Sequence, residues 1–144
     1  MTWNEIIDEL QIKYEFKKIP PLSQTEVGAN IGGLGLGSDF IKFYLVTNGL
    51  SCEWFRILPI EDPNNIKNTW DGLKKANDLN KTKFEVDECF LDRFVVFAEI
   101  GGGQCAVFDK LDGSIWYEEE EEFVKTDLTL KSLIEICLKE VKEL

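Results

Sequence analysis

Three strand-like runs crowd together between residues 94 and 118, with only short glycine-bearing links between them. Phe94 to Ile100 is apolar, Gln104 to Asp109 is mostly apolar, and Ser114 to Glu118 holds Ile115, Trp116 and Tyr117. The links are Gly101-Gly102-Gly103 and Lys110-Leu111-Asp112-Gly113. Parallel neighbours need a crossover of about a dozen residues or more, so links this short force antiparallel pairing. A further run, Cys52 to Leu58, reads as one strand that ends at Pro59. The chain is therefore expected to build an antiparallel sheet of about four or more strands.

Helical patterns surround these runs. Thr2 and Glu5 form a T-x-x-E capping box, and Trp3, Ile6, Ile7, Leu10 and Tyr14 follow on one face, predicting a first helix from about Trp3 to Lys13. Pro20-Pro21 prevents its continuation. Ser23 and Glu26 repeat the cap ahead of Val27, Ile31 and Leu34. Gly28, Gly32 and Gly33 each cost about 1 kcal/mol in a helix interior, so a short or frayed helix is expected. Gly33-Leu34-Gly35-Leu36-Gly37 lacks both the spacing and the Lys-Ser/Thr of a phosphate loop and reads as a turn. Ser38 or Asp39 can cap a third helix running to Asn48-Gly49, a left-handed stop. Asp62-Pro63 opens another, with Ile66, Trp70 and Leu73 on one face to about Ala76. Asp78 to Glu88 is polar and reads as loop. Thr129 to Leu144 forms a closing amphipathic helix. With no internal repeat and no linker, residues 1–144 are expected to be a single α+β domain, the sheet flanked by helices.

Composition then limits the chemistry. There is no histidine, which excludes Ser-His-Asp and Cys-His catalysis and any imidazole zinc site. Cys52, Cys89, Cys105 and Cys137 lie 37, 16 and 32 residues apart, so no C-x-x-C pair exists. The N-terminus has no basic segment leading into an apolar run, and no stretch is long and apolar enough to span a membrane. A cytoplasmic protein with reduced thiols, without cofactor or metal, is expected. The net charge of −11 argues against a nucleic-acid binder and against docking on an anionic membrane.

Partner-binding candidates follow from charge and aromaticity. Glu118, Glu119, Glu120, Glu121 and Glu122 form an unbroken acidic run, either a solvated strand end or a patch that steers a basic partner. Residues 73–144, which carry the run, are at net −7; residues 1–72 are at −4. On the Cys52–Leu58 strand, Trp54 and Phe55 alternate, so one faces outward, with Phe55 the inward choice beside Ile57. Trp54, Trp70 and, by the same logic, Trp116 are binding-anchor candidates, since tryptophan is enriched at interface hot spots, and Asp71 beside Trp70 is counted with the partner-binding residues. Asp71, Asp109 and Asp112 can be matched with Glu99 or Glu61 as an acid/base couple, but no spacing forces them together, and Asp112-Gly113 is explained by turn chemistry. No catalytic residue is assigned.

The order of these features resembles the SUKH superfamily, the fold shared by a fungal cell-wall assembly regulator and many bacterial immunity proteins. The resemblance rests on Pro20-Pro21-Leu22-Ser23 before the second helix and on Leu36 to Gly49, a helix closed by an Asn-Gly turn. It also rests on Phe55-Arg56-Ile57-Leu58-Pro59-Ile60-Glu61, on Phe97 to Gly103, and on Val107-Phe108-Asp109 followed by Asp112 to Trp116. Leu130 to Leu138 fits the closing helix. Gly37-Ser38 stands where the family often has Leu-Pro, and Gln104 where it often has an acidic residue. The resemblance implies a non-catalytic protein that neutralises a cognate polymorphic toxin, often a nuclease, by occluding its active surface. The alternative it implies is a regulatory scaffold of the cell-wall assembly regulator type.

Overall fold

Helix α1 (Trp3–Lys13) forms where its cap predicts. Thr2 Oγ1 accepts from the Glu5 N–H at 3.3 Å, and the Glu5 carboxylate accepts from the Thr2 N–H at 3.0 Å, so two otherwise unpaired donors are met. All 144 residues are described by this computed structural model. The buried face of α1 is Trp3, Ile6, Ile7 and Leu10.

The second helix, α2 (Gln24–Gly33), is complete rather than frayed. Val27 and Ile31 are fully buried, and this tertiary packing outweighs the glycine penalty. Helix α3 (Ser38–Tyr44) departs from expectation at both ends. Its N-cap is Gly37, with no side-chain cap bond, because Asp39 instead accepts the Trp3 indole N–H at 3.0 Å. It stops at Tyr44, short of Asn48, because Asn48 is turned inward. The Asn48 Oδ1 accepts the Ile60 N–H at 2.7 Å, and its Nδ2 donates to the Ile60 carbonyl at 2.8 Å. Gly49 takes the left-handed conformation (φ 79°), and a methyl group there would lie 2.4 Å from the Ile57 carbonyl oxygen. Only glycine fits that position.

The sheet has seven strands: β1 (Lys17–Lys18), β2 (Leu50–Cys52), β3 (Phe55–Ile57), β4 (Phe94–Gly101), β5 (Gln104–Asp109), β6 (Ile115–Glu119) and β7 (Glu122–Lys125). Their spatial order is their chain order, and each neighbouring pair is antiparallel. The expected meander is present and extended at both ends. Cys52–Leu58 is not one strand, however. It is a hairpin turned at Glu53-Trp54, with Cys52 opposite Phe55. Glu53 takes a positive φ of 53°, a conformation glycine and asparagine favour, so the sequence carries no turn signal there.

Register defines two faces. Leu50, Ile57, Ala98, Ala106 and Tyr117 form one row across the sheet; Ser51, Arg56, Glu99 and Cys105 form the next row, on the opposite face. The first face packs against α3, where Phe40 meets Phe97 and Phe108 edge-on at 5.0 and 5.2 Å. Phe43 of α3 in turn meets Trp3 of α1 at 5.2 Å. Helix α7 (Leu130–Lys142), capped by Thr129, lies against β3.

The chain between β3 and β4 covers the other face. A single turn of 3₁₀ helix (Pro63–Asn65), with Asp62 accepting the Asn64 N–H, leads into α4 (Ile66–Thr69), then α5 (Leu73–Ala76). One helix to Ala76 was expected; two single turns form, separated at Trp70–Gly72. Ile66 and Trp70 are 62% and 60% exposed, so their helical spacing does not mark a core face. A further helix, α6 (Glu88–Arg93), starts at the last residue of the expected polar loop and fills the stretch before β4, capped by the Asp87 carboxylate on the Phe90 N–H at 2.8 Å. Where β3 ends, the Asn77 side chain pairs with both the N–H and the carbonyl of Val96 at 2.8 and 2.9 Å. No helix is long and apolar enough to cross a membrane.

Candidate interaction surface

The face of the sheet away from α3, covered by the β3–β4 chain, carries charge at its centre. Arg56 stands directly opposite Glu99 on the β3–β4 ladder. The chain after α4 brings Asp71 to Arg56 Nη1 at 3.2 Å, and Lys83 reaches both acids, Glu99 at 2.8 Å and Asp71 at 3.3 Å. Arg56 Nη2 also donates to the Asp71 carbonyl at 3.0 Å. These four side chains form a closed alternation of signs, pinning the Asp71–Lys83 stretch onto the sheet.

Titration follows this geometry. Burial pulls the Asp71 carboxyl upward, but the Lys83 and Arg56 charges and hydrogen bonds prevail and hold it below its ordinary value. Burial likewise works against the charged Lys83, and its bonds to Glu99 and Asp71 prevail and raise it. The matching of Asp71 with Glu99 considered above thus occurs, with two cations, Arg56 and Lys83, between the acids. The other candidates for that role are engaged elsewhere. Glu61 accepts the Lys74 and Lys75 N–H groups at 3.1 Å each, capping α5. Asp109, fully buried, binds Arg93 at 2.7 and 3.1 Å, and those bonds hold its carboxyl low. Asp112 binds Ser114 and Lys125. No group of three or more acidic or cysteine side chains is arranged to hold a metal ion.

The cysteines are all free thiols. Burial, then the Glu118 hydrogen bond, pushes the Cys105 thiol far up; burial takes Cys137 up to about 12. Both stay protonated and unreactive at neutral pH.

Further along the same face stands an aromatic group. Phe90 of α6 stacks on Phe94 at 4.7 Å and touches Phe123 at 4.7 Å, while Phe94 meets Trp116 edge-on at 5.3 Å. Arg93 lies over Phe94 and Trp116. Trp116 is half-buried, its indole N–H on Ser114 Oγ at 2.9 Å.

The structure separates the three tryptophans. Trp54, at the β2–β3 turn and not on a strand, lies half-buried against the β4–β5 turn, where a methyl group at Gly101 would come within 3.2 Å of its ring. Trp70 projects into solvent with Lys75 Nζ over its ring at 4.2 Å, beside a shallow groove of about 420 Å³ bordered by Asn30, Glu61 and Pro63. Trp70 and Asp71 are adjacent but diverge, one outward and one onto the sheet.

The acidic run forms the β6–β7 hairpin. Glu118 turns inward and accepts the Cys105 N–H at 2.9 Å, where the β5–β6 ladder ends. Glu119 stands directly opposite Glu122, and the turn residues Glu120 and Glu121 both have positive φ, 51° and 68°. None of the five makes an ion pair. Sequence reasoning missed Arg56 and Lys83, whose roles depend on contacts far apart in the chain.

No curated protein and no solved structure matches this chain. The family model described as SMI1 / KNR4 family (SUKH-1) matches residues 29–136, from the middle of α2 to the middle of α7. That segment contains β2 to β7, the pinned charge cluster and the acidic hairpin, and the chain belongs to the SMI1/KNR4 family (SUKH-1).

Proposed function

We infer that this protein is a non-catalytic immunity protein, one that binds a cognate polymorphic toxin in the cytoplasm and neutralises it by covering its working surface. The observation that carries this reading is the β6–β7 hairpin: four carboxylates, Glu119 to Glu122, at its tip and beside it, with no cation paired to any of them. A toxin that acts on nucleic acid must carry a basic surface for phosphate. Carboxylates presented on a hairpin can occupy such a surface, and a net charge of −11 speeds the encounter. Family membership supports the same reading. Trp70, exposed and flanked by Ile66, supplies an apolar anchor of the kind that dominates interface energies. Trp54 and Trp116 are half-buried and contribute only an edge to contact.

The test is co-expression with a toxin domain encoded in the neighbouring gene. Growth is restored by the wild-type chain, and the purified pair forms a complex. A toxin that kills equally with and without the chain, and that fails to bind it, removes the reading. The alternative, a regulatory scaffold, is separated by affinity capture: it retains several housekeeping partners and no toxin.

A further inference from the structure

The two edges of the sheet are not equivalent. Edge strands invite pairing by other chains, and proteins blunt them with brevity, lysine and proline. Strand β1 is blunted in all three ways: it has two residues, both lysine, and Pro20-Pro21 follows closely. Strand β7 is longer, has no proline and pairs with β6 without a bulge. The Thr126 N–H bonds the Ile115 carbonyl, which fixes the alternation along the β6–β7 ladder. The pairs 117–124 and 119–122 are then the hydrogen-bonded ones, and the N–H and carbonyl groups of Phe123 and Lys125 point away from β6, toward solvent. No side chain or loop takes up any of these four groups.

An occupant must match this edge in two respects. Only an extended backbone presents donors and acceptors at the strand repeat. Its side chains must also suit an entrance at which Glu119 and Glu122 face each other unneutralised, a like-charge pair that costs stability until a cation sits between them. We propose that β7 is an open docking edge on which a basic, extended segment of the protein partner adds as an eighth strand, its lysines or arginines lying against Glu119, Glu120 and Glu122. This rests on the immunity reading for the partner's identity, but not for the chemistry of the edge.

The experiment is residue-resolved amide hydrogen exchange on the full chain, with and without a short synthetic peptide alternating lysine and valine at millimolar concentration. The expected result is about tenfold slower exchange at Phe123 and Lys125, with no change at Lys17 and Lys18. Lys125→Pro removes an outward N–H that β6 does not use, a position where edge strands tolerate proline. It abolishes the protection, whereas Lys125→Ala, which loses the same contact with Asp112, retains it. If Lys125→Pro fails to fold, the wild-type pattern decides alone. Unchanged exchange at both amides overturns the proposal, as does equal protection by a peptide alternating glutamate and valine. Protection that appears without peptide and grows with protein concentration also overturns it, because a second copy then fills the edge. A toxin that is not neutralised leaves a protected β7 intact. Neutralisation by a complex in which Phe123 and Lys125 exchange freely removes strand addition while sparing the immunity reading.

Discussion

Asp71 accepts from two cations at once, and that makes it the most informative single residue on the outward face. Its carboxyl is held low, so its contribution to stability is full above the ordinary carboxylate pKa of about 3.9 and is lost as pH falls through the lower folded value. Lys83 runs the other way: raised, it contributes fully below the ordinary lysine value of about 10.4 and loses that contribution as pH rises. Urea unfolding of Asp71→Asn across acid pH is therefore expected to show a shallower loss of stability below about pH 4 than the wild type; superimposable acid limbs would show that Asp71 is not coupled to its cations. Asn48 gives a second prediction. Its side chain alone satisfies the buried Ile60 N–H and carbonyl, and leaving such a group unpaired costs about 1–3 kcal/mol. Asn48→Ala should lower the unfolding free energy by about 3 kcal/mol in denaturant titration, a value no exposed asparagine would produce. Neither role is written locally in the sequence. Asn48-Gly49 announces a helix stop, and Gly49 fulfils it, but the inward turn of Asn48 depends on Ile60, twelve residues away. The Arg56–Glu99 and Lys83–Asp71 contacts likewise span distant segments, so no spacing rule finds them.

Elements were legible wherever their own residues carry the signal. The Thr2–Glu5 and Ser23–Glu26 caps mark the starts of α1 and α2, and the glycine links mark β4 to β6. The two hairpins that were missed share a cause: a turn built from residues that do not favour one. Glu53-Trp54, with Glu53 at positive φ, and Glu120-Glu121, with both residues at positive φ, reverse the chain without glycine, held by the strands on either side. A two-residue hairpin turn with both φ positive prefers Asn-Gly, and each left-handed non-glycine residue costs about 1–2 kcal/mol. The double variant Glu120→Asn, Glu121→Gly should therefore raise the thermal midpoint by several degrees, about 1–2 kcal/mol of added stability. It should weaken toxin binding at the same time if the tip carboxylates make contact. A stabilised hairpin with unchanged affinity would place contact on the flanks, at Glu119 and Glu122. Helical periodicity misled at Ile66 and Trp70 because this turn buries Thr69 instead, its hydroxyl bonded to the Asn65 carbonyl, which leaves Ile66 and Trp70 on the outside.

At the scale of the whole molecule, both faces of the sheet are packed, but the large phenylalanine core lies on the α3 side and the Arg56–Asp71–Lys83–Glu99 ion pairs on the other. The inner face is a continuous apolar layer centred on Phe40, Phe43, Phe55 and Phe97, where truncating one ring costs about 3–5 kcal/mol. Phe43→Ala, at the junction of α1 and α3, is expected to lose that amount, comparable with much of the folding free energy of a domain this size. On the immunity reading proposed above, the β6–β7 tip steers the encounter with the toxin. Replacing Glu119 to Glu122 with glutamine should slow association with the toxin at low salt and flatten its dependence on ionic strength, with little change in dissociation. Stopped-flow measurement at two salt concentrations reads both; an unaltered on-rate at low salt would clear the run of steering.

One packing detail bears on how the protein should be cut for the laboratory. The segment recognisable by kinship starts at residue 29, yet Trp3, Ile6, Ile7 and Leu10 lie ahead of it, pressed into the interior. Four such side chains are worth about 1.5–3 kcal/mol each. A version trimmed to the family-matched residues 29–136 would bare the ring of Phe43 and leave Asp39 without its indole donor. Kinship and self-sufficiency have different borders in this chain, and expression trials should respect the second.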